Sequence, residues 1–207
     1  MKKSLLLATI GALWTAAAFL PLGRAQEGPN RPQPKPLSLE SKTTAILVLD
    51  LSVRCHDPKQ VCSKLMPSLG EFLEKARASS VAIIYTVSEA KGTPQAEVAA
   101  PLKRRDTEPV IYPNGFDKFF GGELYDLMKP KGIKSAVIVG ASTHVGVLYT
   151  ATSAGRMYNY NVIIPLDGVV SSGGNYAQEY ALHQFTVLPG GVNKLFQFTN
   201  LPMIEFK

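Results

Sequence analysis

The sequence predicts a doubly wound, Rossmann-like α/β domain with a parallel sheet of about six strands flanked by helices, and three observations carry that prediction. Short apolar runs rich in Val and Ile recur along the chain, amphipathic stretches fall between them, and the two kinds alternate from Thr44 onward. Ligands of such a sheet lie at the carboxyl ends of its strands.

The runs TAILVLD (44–50), VAIIYT (81–86), PVIY (109–112), AVIVGA (136–141) and NVIIPLD (161–167) are continuously apolar, as strands buried on both faces must be. Between the first two, residues 63–80 place Leu65, Leu69, Phe72, Leu73 and Ala76 at three- and four-residue spacing, which predicts a helix with one buried stripe. GGELYDLMKPKG (121–132) reads as a second helix that stops at Pro130 and Gly132. After Gly146 comes a third helical stretch, and YALHQF and KLFQF near the end read as helical with apolar surface suited to a dimer contact.

Ahead of this domain lies a different composition. Lys2 and Lys3 precede an apolar segment, and small residues lead to Ala25, the pattern of a secretory signal peptide over 1–25. The alternative, a membrane anchor, fits poorly because the segment is interrupted by Thr, Gly and Pro and ends in Gly-Arg-Ala. Cleavage implies export, to a bacterial periplasm or the extracellular space, with no membrane association of the mature chain. Residues 26–38 are polar and proline-rich and read as an extended leader; one domain, 39–207, follows. The chain has 22 Lys and Arg against 16 Asp and Glu, and losing Lys2, Lys3 and Arg24 lowers the excess from +6 to +3. A charge so small and scattered gives no argument for nucleic acid, and no nucleic-acid partner is expected.

Two strand ends attract chemistry. Asp50 closes the first run, and a carboxylate at the tip of a buried strand loses solvation and is suited to accept or donate a proton. It reads equally as a helix cap or loop carboxylate. The second is Gly140-Ala141-Ser142, a turn of small residues that delivers the amides of residues 143–146 to a helix start, where they can bind an anion. The plainer reading is a tight turn capped by Ser142 or Thr143.

TAILVLD, EPVIYPNGFDKFFGGEL, KGIKSAVIVGASTHVGVLYTATSAG and NVIIPLDGVVSS resemble, in order and spacing, the isochorismatase-like family, or cysteine hydrolase superfamily, over about residues 43–183. The resemblance implies a six-stranded parallel sheet, a usually oligomeric protein, and no bound cofactor. It also implies a site made of an Asp after the first strand, a Lys after the third and a Cys at the helix after the fourth, with a non-proline cis peptide before that helix. Asp50 matches the Asp, and the cis peptide falls at Ala141–Ser142.

The other two positions depart from the pattern. Gly146 stands where the nucleophilic Cys belongs, so the thioester route is closed there. The isochorismatases proper also carry Gly at this turn and cleave a vinyl ether with the Asp as general acid and no covalent intermediate. Pro113 occupies the Lys position, and the nearest downstream cation is Lys118, which either folds back toward Asp50 as a second catalytic residue or is a solvated loop lysine. Export argues against isochorismate itself, a compound of cytoplasmic biosynthesis.

Cys55 and Cys62 follow Asp50 closely, and in an oxidising compartment an even pair at this spacing most simply forms a disulfide, worth about 2–3 kcal/mol by loop-closure arithmetic. A nucleophile relocated to Cys55 beside His56, and a metal site from Cys55, His56 and Cys62, are the alternatives; neither His144 nor His183 offers an evident fourth ligand, and no metal is expected. Thr86, Ser88, Tyr112 and Asn114 end strands and are candidate lining. Phe116, Phe119 and Phe120 are either pocket wall or core; Asp167 ends the fifth strand, and the resemblance implies that it shapes the site in a supporting role. No base partner for Ser142, Thr143 or Thr150 is visible in sequence.

Two functions fit. The first is an exported hydrolase of a small organic molecule working through Asp50 and Lys118, with the turn from Ala141 to Gly146, Tyr112, Asn114 and Phe119 binding the substrate. The second is a catalytically silent binding protein on the same fold. A cation within hydrogen-bond reach of Asp50 favours the enzyme.

Overall fold

The computed structural model describes residues 31–207; the expected signal peptide and residues 26–30 lie outside it. A seven-stranded, all-parallel sheet forms the centre. Its strands are β2 (Thr44–Leu49), β3 (Ala82–Thr86), β4 (Val110–Ile111), β5 (Ser135–Ala141), β6 (Asn161–Pro165), β7 (Val169–Val170) and β8 (Phe196–Thr199). The order is β4-β3-β2-β5-β6-β8, with β7 paired to β5. Winding runs outward in both directions from β2 and β5, so the crevice where it reverses lies beyond Leu49 and Ala141.

Every residue of β2 is buried, and Ala136 through Ala141 of β5 are buried too, as continuous apolar runs demand. The helices α1 (Met66–Ala78), α2 (Glu123–Met128), α3 (Leu148–Arg156) and α4 (Gly174–Val187) cover the sheet. One apolar cluster joins α1 to Ile46, Val48 and Tyr85; a second joins α2, α3 and α4 to Leu47, Leu49, Ile138 and Ile164. Alternate side chains of β2 therefore feed opposite layers.

Three elements differ from expectation. KLFQF is helical only at its start: Lys194 and Leu195 end a 3₁₀ turn, whereas Phe196–Thr199 is β8, paired with β6, and Phe196 is buried against Phe185. YALHQF is helical within α4, but Ala181, Leu182 and Phe185 face the core, and of its apolar side chains Tyr180 is the exposed one. Leu37–Leu39, at the end of the segment read as leader, forms β1, which pairs in parallel with β9 (Ile204–Phe206). Lys75 Nζ fastens this pair to α1 by donating to the Ile204 carbonyl at 2.6 Å.

A buried ion pair ties α1 to the segment before β4. Arg77 meets Glu108 at 2.7 and 2.9 Å, and its remaining donors reach Tyr85 Oη, the Leu102 carbonyl and Glu74. Burial pushes Glu108 up, but hydrogen bonds from Arg77 and the Arg105 amide outweigh it and hold the carboxyl below the usual glutamate value. Among the described residues, no helix is long and apolar enough to cross a membrane.

Candidate active site

Asp50 follows β2 directly and adopts φ 53°, in the left-handed region that Asp tolerates better than most residues. Its amide donates to the Thr86 carbonyl at 2.9 Å, which continues the β2–β3 ladder and turns the side chain into the crevice. Beside it, β5 approaches so closely that a Cβ on Gly140 would lie 2.1 Å from the Leu49 carbonyl oxygen, and Gly140 has φ 123°; only glycine fits. The Ala141–Ser142 peptide is cis, at the position the family resemblance implied.

Lys118 does fold back. Its ammonium lies 2.8 Å from Asp50 Oδ2 and 2.9 Å from Oδ1, with the lysine side chain fully enclosed and Asp50 nearly so. The loop that carries it is pinned to α3. Lys118 N–H donates to Thr150 Oγ1 at 3.0 Å, and Ser153 Oγ donates to Asp117 Oδ2 at 2.5 Å. Phe119 anchors the same loop from below, stacked on Tyr158 and Tyr160 at centroid distances of 4.6 and 6.1 Å.

The third member is Ser88, two residues beyond β3. Its amide and its hydroxyl each donate to Asp50 Oδ1 at 2.9 Å, and the hydroxyl accepts from Lys118 Nζ at 2.6 Å. Oδ1 thus receives three donors, whereas Oδ2 receives one, from Lys118. Over Oδ2 lies Gly146: a Cβ there would sit 3.3 Å from that oxygen. At the position where the family resemblance places a thiol, glycine puts no side chain against the carboxylate, and even a methyl group would be in tight contact there.

Residues 143–147 form a π-helical turn before α3, and the Ser142 carbonyl accepts from the Val145 and Val147 amides at 3.0 and 3.2 Å. Val145 N–H, one of the four amides expected to face an anion, is therefore occupied. Ser142 Oγ contacts His144 Nδ1 at 3.0 Å and accepts from the Ser172 amide at 2.8 Å; Ser171 Oγ meets the same ring nitrogen at 2.6 Å. The structure thus supplies the base partner for Ser142 that the sequence does not display, in a cluster shared with Ser171. Thr143 Oγ1 is buried with no hydrogen-bond partner among the described residues.

Other predicted residues go elsewhere. Phe119 is core, and Phe116 and Phe120 are exposed, with Phe116 stacked on Tyr149. Tyr112 lies under Lys91, 5.8 Å from its ring, and lines a separate groove with Thr93, Glu97 and Arg104. Asn114 is exposed. Asp167 caps the far turn by accepting the Leu201 amide at 2.8 Å. Cys55 and Cys62 form a disulfide, which removes both the relocated thiol and the thiolate ligands of a metal. Among the described residues no three His, Cys, Asp or Glu side chains converge as a metal site. A groove of about 1040 Å³ between Cys55, Met66, Gly70 and Pro101 lies outside the Asp50 crevice.

An all-parallel sheet with a carboxylate, an ammonium and a hydroxyl gathered at its winding reversal defines an α/β domain of hydrolase type. The isochorismatase domain model matches residues 44–192. The chain belongs to the isochorismatase family. It is 26% identical over 145 residues to the secreted isochorismatase effector Isc1 of Verticillium dahliae, covering 65% of this chain and 76% of that protein. Among solved structures it resembles an isochorismatase-like hydrolase from Alkaliphilus metalliredigens, with a TM-score of 0.67, 24% identity, and coverage of 77% of this chain and 95% of that one. It also resembles a nicotinamidase from Staphylococcus aureus, with a TM-score of 0.63, 23% identity, and coverage of 76% and 98%.

Proposed function

We propose that the protein is an exported hydrolase of a small organic molecule in which Asp50 is the general acid/base, Lys118 its charge partner, and no cysteine takes part. The observation that carries this reading is the enclosed Lys118–Asp50 pair at 2.8 Å, with Gly146 rather than a thiol against Oδ2 of the same carboxylate. A lysine stranded on a loop would leave Asp50 without charge support; here a cation from an unexpected position serves in place of the residue that Pro113 displaces.

Vinyl ethers suit such a site. Asp50 delivers a proton to the terminal vinyl carbon, water adds to the ether carbon and returns a proton to Asp50, and the hemiketal separates into a ketone and an alcohol. The enclosed ammonium balances the carboxylate after it gives up its proton. Export rests on the signal-like sequence of residues 1–25, the Cys55–Cys62 disulfide and the secreted relative. That relative bears the name isochorismatase as well as secreted, so export no longer counts against isochorismate, which joins the substrate panel. Gly146 at the family's thiol position favours one second reading, a silent binding protein with an intact pocket.

The test is turnover of isochorismate, simple vinyl ethers and small amides by residues 26–207, beside Asp50→Asn. Vinyl ether turnover that vanishes in the variant is the expected result. No turnover by either protein, with thermal shift still detecting a bound panel member, selects the binding protein.

A further inference from the structure

We propose that Ser88 is a nucleophilic hydroxyl, which gives the Asp50 site a second chemistry: acyl transfer from small activated esters through an acyl-Ser88 intermediate. The proposal rests on the reading that Asp50 and Lys118 form a reaction centre, and adds a covalent route to it.

A serine becomes a nucleophile when a base lies within about 2.6–3.2 Å and a further group orients that base. Ser88 meets both conditions. Its hydroxyl donates to Asp50 Oδ1 at 2.9 Å, and Lys118, which holds both oxygens of that carboxylate, also donates to Ser88 Oγ at 2.6 Å. Asp50 is thus placed to take the proton, and Lys118 to balance the alkoxide that forms as it leaves.

Exposure separates the three. Asp50 and Lys118 are buried, while Ser88 is exposed and is the member an incoming molecule meets. It is nonetheless fixed, because its own amide is bound to Oδ1 and the Val87 amide donates to the Ile111 carbonyl at 3.0 Å. The nucleophile comes from the end of β3 and addresses Oδ1, whereas the family's thiol position, Gly146, addresses Oδ2. One carboxylate serves either side.

The step balances without a cofactor. A lone pair of Ser88 Oγ attacks the ester carbonyl carbon while the hydroxyl proton passes to Asp50. The tetrahedral adduct collapses, the C–O bond to the alcohol breaks, and Asp50 returns the proton to the departing oxygen. Water then attacks acyl-Ser88 with Asp50 as base, releasing a carboxylic acid and restoring the hydroxyl.

Ser142 is the competing serine, since it touches His144 Nδ1 at 3.0 Å. Its oxygen, however, already accepts the Ser172 amide and lies within reach of the Ser172 hydroxyl at 3.2 Å, and Ser171 shares the histidine. That hydroxyl is spent inside a closed cluster.

The experiment treats residues 26–207 with a fluorophosphonate and, separately, with p-nitrophenyl acetate under acid quench, and maps the adduct by peptide mass spectrometry. An adduct on Ser88, formed about 100-fold or more slowly in Asp50→Asn, is the expected result. Ser88→Cys provides a second variant: faster alkylation by iodoacetamide than Ser142→Cys shows is expected, and equal or slower alkylation counts against the proposal. An adduct on Ser142, or none on Ser88, overturns it. If vinyl ether turnover persists in that case, the proposed function stands alone; if it too is absent, both fall.

Discussion

Two enclosed ion pairs in this molecule look alike in composition and differ in what surrounds them. Arg77–Glu108 is closed on every side: the guanidinium reaches Glu108 twice, Tyr85, Leu102 and Glu74, and Glu108 also takes the Arg105 amide. Lys118–Asp50 is closed on the lysine side, but among the described residues Oδ2 has no donor except Lys118, and the exposed Ser88 lies beside it. A fully satisfied pair holds two segments together. A pair with an unfilled side is placed for a molecule from outside.

Asp50→Asn is the sharpest test of this contrast. It removes the acid/base group and is expected to lower kcat by about 10²–10⁴-fold and, because the enclosed Lys118 loses its counter-charge, to lower the thermal midpoint in a protein that still folds; loss of folding instead would make the pair a structural lock like the other. Arg77→Leu leaves Glu108 buried without its cation and is expected to cost about 3–5 kcal/mol in urea unfolding, whereas Arg77→Met with Glu108→Leu costs far less. The pH dependence has a definite sign. Glu108 is held below its usual value in the fold, so its contribution is complete above about pH 4.5 and is lost as pH falls through the folded value. The double variant is expected to lose less stability than the parent between pH 7 and pH 3.

Opening the Cys55–Cys62 disulfide by a double Ala substitution is expected to cost about 2–3 kcal/mol, read by chemical denaturation, with the Asp50–Lys118 pair retained. Gly146→Ala is the mildest. The added methyl meets Asp50 Oδ2 at 3.3 Å, and because Ser88 and Lys118 hold that carboxylate it cannot easily retreat. A severalfold rise in KM at nearly unchanged stability is expected; an unchanged KM would mean that substrate does not enter over Oδ2.

The strands from β2 to β6 are legible because burial on both faces forces uninterrupted apolar runs, as in 44–49 and 136–141. β8 is not, since Phe196-Gln197-Phe198 is too short for either period to declare itself, and its pairing with β6 is a long-range choice. Asp50 is legible from its place at a strand end. The fate of Lys118 is not, for a reach of 68 positions depends on how Thr150 and Ser153 hold its loop. Ser88 carried a usable signal: β2 and β3 are adjacent parallel strands with Leu49 beside Thr86, so residues just beyond both ends must meet.

The β1–β9 pair joins segments from opposite ends of the described chain. Leu37–Leu39 leave the ribosome long before Ile204–Phe206, and among the described residues no other strand pairs with them. The Lys207 amide donates to the Leu39 carbonyl, and the Ser41 amide to that of Lys207, both at 2.9 Å. The domain therefore fastens like a clasp, whose first half waits for its second while every strand of the central sheet is made between them.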